Sequence, residues 1–272
     1  MESMRPLSGG VLIDKQKGPT CNQIDIWIRK FLKMKVAHVG TLDPGATGVL
    51  LILFGKAIKL QEYLQKEDKE YICLMELEKK VDLKKLEEVF KDFVGEIYQR
   101  PPKMSAVSKR IRIRKIYWIK ILEVKENFVL FHVKCQHGTY IRSLVEHIGL
   151  VLGLKTKLLE LRRIKSGCWS EDMCIPLIRF KDSFILLEKG KKEVWEKNIL
   201  SLEDLVKDLK KIYLNEDGYK RAKNGRSIGE EHFIKKENIR EKEPIALFYK
   251  DKVIAIGFLR EDKRIKVEKV LV

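Results

Sequence analysis

One carboxylate lies in a turn between two apolar segments of the chain. Asp43 follows Val36–Ala37, precedes Val49–Phe54, and has Pro44 and Gly45 directly after it. Proline fixes φ and glycine allows unusual backbone angles, so this turn can hold an acidic side chain at the rim of a sheet. The residue types therefore allow carboxylate catalysis at Asp43. Asp-Pro-Gly is also ordinary turn chemistry, so the spacing alone does not distinguish a catalytic aspartate from a structural turn.

A second candidate is Arg142, in the first turn of a helix predicted to begin at Gly138-Thr139. A cation at this end of a helix opposes the helix dipole and costs about 0.3–1 kcal/mol. The placement suggests that a carboxylate or a phosphate compensates the charge. A solvated surface arginine is the alternative, because the cost is small.

The longest stretch of single-sign charge runs from Pro101 to Lys120, where every charged residue is basic. Its centre is a basic ridge made of Lys109, Arg110, Arg112 and Arg114. In a strand the three arginines would project from one face, while Ile111 and Ile113 would form an apolar base on the other. Such a ridge favours phosphate binding. An edge strand that uses arginine to prevent aggregation is the alternative.

The overall composition also indicates a polyanionic partner. The 272 residues include 56 Lys and Arg against 39 Asp and Glu, a net charge of +17. This excess favours RNA binding, although a lysine-rich surface on an ordinary enzyme would give the same balance. A hydrophobic content of 44% is enough for a packed core, which argues against disorder. The length suits one large domain and one small domain.

The cysteines and the apolar runs indicate the compartment. The five cysteines are odd in number and contain no CxxC pair, which argues for reduced thiols inside a cell and against a zinc site. Residues 1–10 lack the apolar core of a signal peptide, and no apolar run has the length of a membrane span. We therefore expect a cytoplasmic protein with no bound metal and no membrane partner.

Hydrophobic periodicity predicts helices and strands without internal repeats. A capping box at Thr20 and Gln23 opens one helix, Asp82 caps a second, and Gly153 ends the helix that carries Arg142. Strands are predicted at Val11–Asp14, Val49–Phe54, Glu70–Leu77 and Val129–Cys135. Because these elements do not alternate as regular βαβ units, we expect an α+β fold around a mainly antiparallel mixed sheet.

Four separated motifs resemble those of the TruB/dyskerin family of RNA pseudouridine synthases. They are Gly40-Thr41-Leu42-Asp43-Pro44 with Thr47-Gly48, Lys69-Glu70-Tyr71, Gly138-Thr139-Tyr140-Ile141-Arg142, and Leu161-Arg162-Arg163 with Gly167. Each motif alone is a weak signal, but four in the family's order are specific. The early segment departs from the family pattern, since Cys21-Asn22 stands where Ser-His is usual.

The resemblance implies a role for each motif. Asp43 would be the catalytic nucleophile, Arg142 would pair with it, and Tyr71 would stack on a uridine base flipped out of the RNA. Leu161 would pack beside that base. His38 would contact the flipped nucleotide or serve as a structural histidine. The implied reaction breaks the N-glycosidic bond and forms a carbon–carbon bond to give pseudouridine, without a cofactor.

The pattern changes from Leu209 onward to short strands separated by polar turns, which predicts a small β-barrel. With Asn224-Gly225 and Ile256-Gly257, this tail resembles a PUA domain, the RNA-binding module that follows the catalytic domain in the family. We therefore expect a catalytic domain over residues 1–208 and a PUA-like domain over residues 209–272. Gly225 and Gly257 would be among its RNA-binding residues.

Two features resemble different branches of the family. Gly45-Ala46 is similar to the bacterial tRNA enzymes, whereas Tyr98-Gln99-Arg100-Pro101-Pro102 is similar to the archaeal and eukaryotic dyskerin branch. The chain also lacks the long insertion before the basic ridge with which tRNA-type members grip their substrate. This absence implies guidance by box H/ACA RNA on rRNA, with the small accessory proteins of that particle. Guide-free modification of the tRNA TΨC loop and a non-catalytic RNP scaffold are the alternatives.

Overall fold

The computed structural model describes residues 7–100 and 110–272, and within these ranges nine strands join in one sheet. They are β1 (Gly9–Lys15), β2 (Val36–Val39), β3 (Thr47–Phe54), β4 (Lys69–Leu77), β5 (Gly95–Gln99), β6 (Arg112–Lys125), β7 (Phe128–Cys135), β8 (Thr156–Ser166) and β9 (Trp169–Ser170). The strand order is β1-β3-β8-β4-β7-β6-β5, with β2 beside β3 and β9 beside β8.

Helices connect and cover these strands. They are α1 (Cys21–Leu32), α2 (Gln61–Leu64), α3 (Leu83–Asp92), α4 (Ile141–Leu152), α5 (Leu177–Glu188), α6 (Lys192–Asn198) and α7 (Leu202–Leu205). The helix signals are confirmed: Thr20 and Gln23 form the capping box of α1, Asp82 caps α3, and Gly153 ends α4 with φ +68. The helix α4 begins at Ile141, so it starts after the predicted Gly138-Thr139.

The sheet is mixed and mainly antiparallel, which confirms the predicted α+β class. Among its described strand pairs only β3 and β8 are parallel, through Thr47 with Arg162 and Gly48 with Arg163. Strand β8 then continues antiparallel to β4, which places Tyr71 beside Arg163. One end of the sheet therefore brings together the first residues of β3 and β4 and the arginines of β8.

The segment after β9 packs back on the first helix. Phe180 of α5 is fully buried, and its ring centroid lies 5.4 Å from that of Phe31 on α1 and 5.5 Å from that of Trp195 on α6. Phe54 at the end of β3 completes the group at 6.3 Å. These aromatic contacts attach the α5–α6 segment to the large sheet.

Phe180→Ala is expected to lower the free energy of unfolding by about 3–5 kcal/mol, because it removes a buried ring and leaves a cavity. Ile178→Ala on the same helix is the matched control, since Ile178 is 62% exposed. That control should change stability by no more than about 0.5 kcal/mol. Urea denaturation of both variants measures the difference, and equal midpoints would show that the aromatic group does not stabilise the chain.

The C-terminal residues form a second sheet. Its strands are β10 (Lys210–Leu214), β11 (Phe233–Lys236), β12 (Pro244–Tyr249), β13 (Lys252–Leu259) and β14 (Ile265–Val270), in the order β11-β10-β12-β13-β14. Helix α8 (Glu216–Lys223) and strand β11 were not predicted from the sequence. The two sheets share a buried apolar cluster that includes Leu51 and Phe248, and Glu62 pairs with Lys269 at 2.9 Å.

Candidate active site

The Asp43 loop, residues 40–46, connects β2 to β3. The carbonyl oxygen of Asp43 accepts a hydrogen bond from the amide of Ala46 at 3.0 Å, which closes the turn through Pro44 and Gly45. The Asp43 side chain is 47% exposed, so its carboxylate is open to a substrate. The turn predicted from the sequence therefore presents the acid at the rim of the sheet.

A buried lysine holds one side of the Asp43 loop. Lys15 at the end of β1 has no exposed surface, and its ammonium group donates to the carbonyl oxygens of Ala46 at 2.7 Å and Pro44 at 3.2 Å. Cys21 holds the loop on the other side of Asp43, because the Leu42 amide donates to its sulfur at 3.2 Å. Burying a cation is unfavourable unless it is hydrogen-bonded, so Lys15 is a specific support of this turn.

Arg163 of β8 fixes both ends of the same loop. Its Nε donates to the Val49 carbonyl oxygen at 2.7 Å and its Nη2 to that of Gly40 at 2.9 Å. Gly48 is required beside it, since φ is +99 and an added Cβ would lie 2.1 Å from the Arg163 carbonyl oxygen. Sequence reasoning gave Lys15 and Arg163 no role, because a buried cation looks like a surface residue in sequence.

Arg142 makes a two-pronged contact with Asp43. Its Nε lies 2.9 Å from Oδ2 and its Nη2 donates to Oδ1 at 3.1 Å. The guanidinium fork matches a carboxylate in this geometry, which fixes the orientation of the acid as well as its charge. The carboxylate also compensates the cation in the first turn of α4, as the unfavourable helix position suggested.

Tyr71 lies on the inner face of β4, where its register partner on β8 is Arg163. Burial raises the pKa of Tyr71 to about 12, and the charge of Arg163 opposes part of this rise. Its side chain is therefore a neutral phenol at physiological pH. Burial also lowers the pKa of Lys69 to about 8, and the Lys69 ammonium group donates to the carbonyl oxygens of Gln65 and Glu67.

The other residues implied by the motifs lie nearby. Leu161 is on β8 opposite Cys73 and packs on the main core with part of its side chain accessible. His38 is the last residue but one of β2, next to the Asp43 loop, and its Nε2 is 2.9 Å from the hydroxyl oxygen of Thr41. The site thus draws its side chains from β2, β4, β8, α4 and one loop.

The predicted apolar base of the basic ridge is wrong. Ile111 is 60% exposed and Ile113 is 48% exposed, whereas Arg112 and Arg114 are half-buried. Arg110 precedes β6 and is exposed, and Lys109 lies outside the described residues. The alternation of side chains is as predicted, but β6 and its partner β5 form an edge hairpin on which the isoleucine face is exposed.

The arginine face of the hairpin is turned toward the start of α4. An added Cβ at Gly138 would lie 3.1 Å from the Arg114 Nε, so the two pack closely. Gln99, which pairs with Arg112, exchanges hydrogen bonds with the backbone of Tyr140 at 2.9 and 3.0 Å. The ridge therefore lies beside the motif that carries Arg142.

The two glycines of the tail differ in their surroundings. Gly225 has φ +69 and open space around its Cα. Gly257 is buried in β13, where an added Cβ would lie 2.6 Å from the Ile265 side chain. The close approach of β14 therefore explains a glycine at 257, and this residue does not face a surface on which RNA could lie.

In residues 7–100 and 110–272, no group of three or more His, Cys, Asp or Glu side chains is placed to hold a metal ion. Over the same ranges no helix has the length and apolar character of a membrane span.

Comparison with protein families gives two adjacent matches. The N-terminal domain of the TruB family of pseudouridylate synthases matches residues 29–141. The C-terminal domain of tRNA pseudouridylate synthase B matches residues 142–207. Together the two models cover residues 29–207, which include every described strand of the large sheet except β1.

Curated relatives from archaea are similar over most of the chain. A protein of Picrophilus torridus named probable tRNA pseudouridine synthase B is 42% identical over 226 residues, which are 83% of this chain and 65% of that protein. A protein of the same name from Archaeoglobus fulgidus is 39% identical over 92% of this chain and 78% of its own length. The chain thus spans less than two thirds of the Picrophilus relative.

Two solved structures are similar to nearly the whole chain. A chain of a Cbf5-Nop10-Gar1 complex superposes with a TM-score of 0.88 and 36% identity, over 97% of this chain and 85% of its own length. A chain of an H/ACA RNP bound to a substrate RNA containing 2'-deoxyuridine gives a TM-score of 0.87 and 34% identity over the same shares.

Proposed function

The chain belongs to the TruB family of pseudouridylate synthases, and from this premise we propose that it isomerises uridine to pseudouridine in RNA. The observation that supports the proposal is the Asp43 carboxylate, which is exposed at the rim of the sheet and forms a bidentate ion pair with Arg142. Lys15 and Arg163 hold the loop backbone, so the acid is presented in one fixed orientation.

The proposed isomerisation breaks one bond to the ribose and forms another. Asp43 is the nucleophile, and the N-glycosidic bond of the bound uridine breaks with its help. The uracil then turns so that its C5 bonds to the ribose C1', and the proton on C5 is lost while N1 becomes protonated. Substrate and product have the same atoms and electrons, so the balance requires no oxidant or reductant.

Tyr71 and Leu161 would receive the flipped base. A base inside folded RNA is inaccessible, so it must be extruded and stacked on an aromatic or apolar surface. A phenol is neutral at physiological pH, and burial raises the pKa of Tyr71 further, to about 12, so its ring can stack without introducing a charge beside Asp43. Leu161 supplies an apolar side chain from the neighbouring strand β8.

Loss of the C5 hydrogen gives a direct test. RNA that contains uridine tritiated at C5 should release tritium to water when incubated with the wild-type chain. The RNA should include both a tRNA transcript and a guide–target pair with accessory proteins. Absence of release from both substrates would overturn the proposal and favour a non-catalytic RNP scaffold.

We further propose that the positioning is done by a guide RNA of the box H/ACA type acting on rRNA. Support comes from the sequence between β5 and β6, which is only residues 100–111 and therefore contains no long substrate-gripping insertion, and from structural neighbours that are parts of H/ACA complexes. The names of the curated relatives favour the tRNA alternative. Rapid modification of free tRNA by the chain alone would decide for that alternative.

The division into a catalytic domain of residues 1–208 and a PUA-like domain of residues 209–272 is part of the same proposal. The second sheet begins at Lys210, and it has its own apolar cluster around Ile212, Leu247 and Ile265. A separate module of this kind would bind the guide RNA, with Gly225 at a turn that leaves room for a backbone phosphate.

Replacing Arg110, Arg112 and Arg114 with alanine is expected to weaken RNA binding and to flatten its salt dependence. Each lost phosphate contact reduces the slope of log affinity against log salt by about 0.7–0.9. The pKa of the nearby His137 is lowered by burial and, to a smaller extent, by the charges of Arg114 and Lys69.

The matched control for the ridge removes three positive charges from a different surface of the chain. Lys189, Lys191 and Lys192 are exposed at the turn between α5 and α6, so their replacement by alanine should leave the slope nearly unchanged. Filter binding at several salt concentrations measures both. Equal slopes for the two triple variants would show that the arginines of the ridge do not bind phosphates and would favour the alternative, an edge strand that uses arginine to prevent aggregation.

A further inference from the structure

A carboxylate, an imidazole and a hydroxyl group form a continuous hydrogen-bonded chain beside the Asp43 loop. Asp25 of α1 contacts His38 through Oδ2 and Nδ1 at 2.7 Å. His38 contacts Thr41 through Nε2 and Oγ1 at 2.9 Å. Thr41 is in the loop, two residues before Asp43. The chain therefore runs from the interior of a helix to the backbone that carries the proposed nucleophile.

The geometry points to Asp25 as a positioning residue for the proposed reaction, acting through His38 and Thr41 on the Asp43 loop. This inference rests on the proposed function. Asp25 is not a catalytic residue in the strict sense, because the residue is only 7% exposed and its carboxylate is turned toward His38.

The donor and acceptor roles follow from the chemistry of the three groups. An ionised carboxylate can only accept, so the proton must lie on Nδ1 of His38. In the neutral ring Nε2 is then an acceptor for the Thr41 hydroxyl, and in the protonated ring it donates to the same oxygen. The His38 carbonyl oxygen also accepts from Gln61 at 2.8 Å, so the backbone under the ring is fixed as well.

The Asp25 carboxylate is buried on α1. In the described part of the chain its Oδ1 has no hydrogen-bond partner, and it lies on the buried face of α1 among Ile24, Ile28 and Leu32. An apolar residue would fill this position without the cost of a desolvated carboxylate. A charge retained at such a position is explained if it orients His38, because that orientation controls which atom of the ring faces Thr41.

The hydrogen bond between His38 and Thr41 restricts rotation of the Thr41 side chain in the Asp43 loop. Lys15, Cys21 and Arg163 hold the loop at Ala46, Leu42 and Gly40 through its backbone. The Asp25–His38–Thr41 chain adds a side-chain attachment on the residue next to Leu42. A reacting carboxylate needs this precision, because a small misplacement of a catalytic group lowers the rate sharply.

Asp25→Asn and Thr41→Val test the chain with little change of shape. Each should slow single-turnover tritium release by about tenfold, the effect of losing one hydrogen bond in a site with a charged partner. RNA affinity should stay within about twofold, since each substitution keeps the size and shape of the side chain, and the loss should appear in kcat rather than KM. Thr41→Ser restores the hydroxyl group and should restore the wild-type rate.

The double variant distinguishes a connected chain from two separate effects. Because Asp25 and Thr41 act through the same ring, Asp25→Asn with Thr41→Val should be no slower than the slower single variant. Glu203→Gln is the matched control, since Glu203 is also a partly shielded carboxylate and accepts a hydrogen bond from the Val253 amide at 3.2 Å, but it lies on α7, outside the site. It should leave the rate unchanged even if it lowers the thermal midpoint.

Nitrogen-15 NMR of the imidazole rings supplies a readout that does not depend on activity. In the RNA-free wild-type chain the His38 ring, identified by its loss in His38→Gln, should carry its proton on Nδ1. Asp25→Asn should change that pattern, and Thr41→Val should shift Nε2 alone.

The outcomes separate the inference from the function on which it rests. If the wild type releases tritium and Asp25→Asn and Thr41→Val release it equally fast, the positioning role is wrong while the proposed function stands. Additive losses in the double variant, or no rescue by Thr41→Ser, would also overturn the role. If the wild type releases no tritium, the proposed function itself is wrong and the positioning role fails with it.

Discussion

Asp43→Asn is expected to abolish pseudouridine formation, with a loss of about 10⁴-fold or more, the scale observed when a nucleophile is removed. The amide has the size and shape of the carboxylate but cannot attack the nucleotide. It can still accept a hydrogen bond from Arg142, so the loop should remain folded. RNA affinity should therefore stay within a few-fold of the wild type.

Asp14→Asn is the control for this variant. Asp14 also pairs with an arginine, Arg162, at 3.0 Å, but it lies on β1 outside the Asp43 loop. Its replacement should reduce the single-turnover rate by no more than about twofold. A rate for Asp43→Asn close to that of Asp14→Asn would show that Asp43 is a turn residue and that the chemistry lies elsewhere.

Arg142→Lys is expected to slow the reaction by about 100-fold, a loss typical of a catalytic group displaced by about 1 Å. Lysine keeps the positive charge, but its ammonium group cannot hold both carboxylate oxygens in one plane. The nucleophile would be paired and yet free to rotate. The loss should therefore appear in the chemical step, while RNA binding changes little.

Arg162→Lys is the matched control for the fork. Arg162 bonds to Asp14 at 3.0 Å and to Glu171 at 2.7 Å, and its side chain is 37% exposed, close to the 44% of Arg142. Single-turnover rates of the two variants give the comparison. If both lysine variants react equally fast, the planar fork of Arg142 contributes nothing beyond its charge.

Local signals predicted the elements that lie closest to the site. The capping box at Thr20, the aspartate cap at Asp82 and the left-handed Gly153 each satisfy orphan groups at a helix end, and each depends only on neighbouring residues. The apolar runs of β3 and β7 were predicted for the same reason, since their alternation or continuity is visible in a short window.

The long strand β8 was not predicted, because Thr156–Ser166 mixes charged and apolar residues without a clear period. Its place is set by pairing with β3 on one side and β4 on the other, which is a tertiary effect. The exposure of Ile111 and Ile113 has a similar origin. Alternation along a strand shows which residues share a face, but it does not show which face is covered.

The buried residues that hold the site in place could not be predicted from the sequence, for a different reason. Lys15, Arg163 and Asp25 are ionisable residues that sequence patterns assign to the surface, yet all three are buried and bonded to the Asp43 loop or to His38. Only the fold brings their partners within reach. Departures from expected burial of this kind are common at functional sites, where rigidity is obtained at the expense of stability.

The most direct measurement is nucleoside chromatography of the RNA after a single turnover with the wild-type chain and with Asp43→Asn. Each reaction should contain the guide–target pair and the accessory proteins, with a tRNA transcript in parallel. We expect a product with the mass of uridine and a different retention time in the wild-type reaction, and none with Asp43→Asn. Equal amounts of that product from both proteins, or none from either, would contradict catalysis of this isomerisation by Asp43.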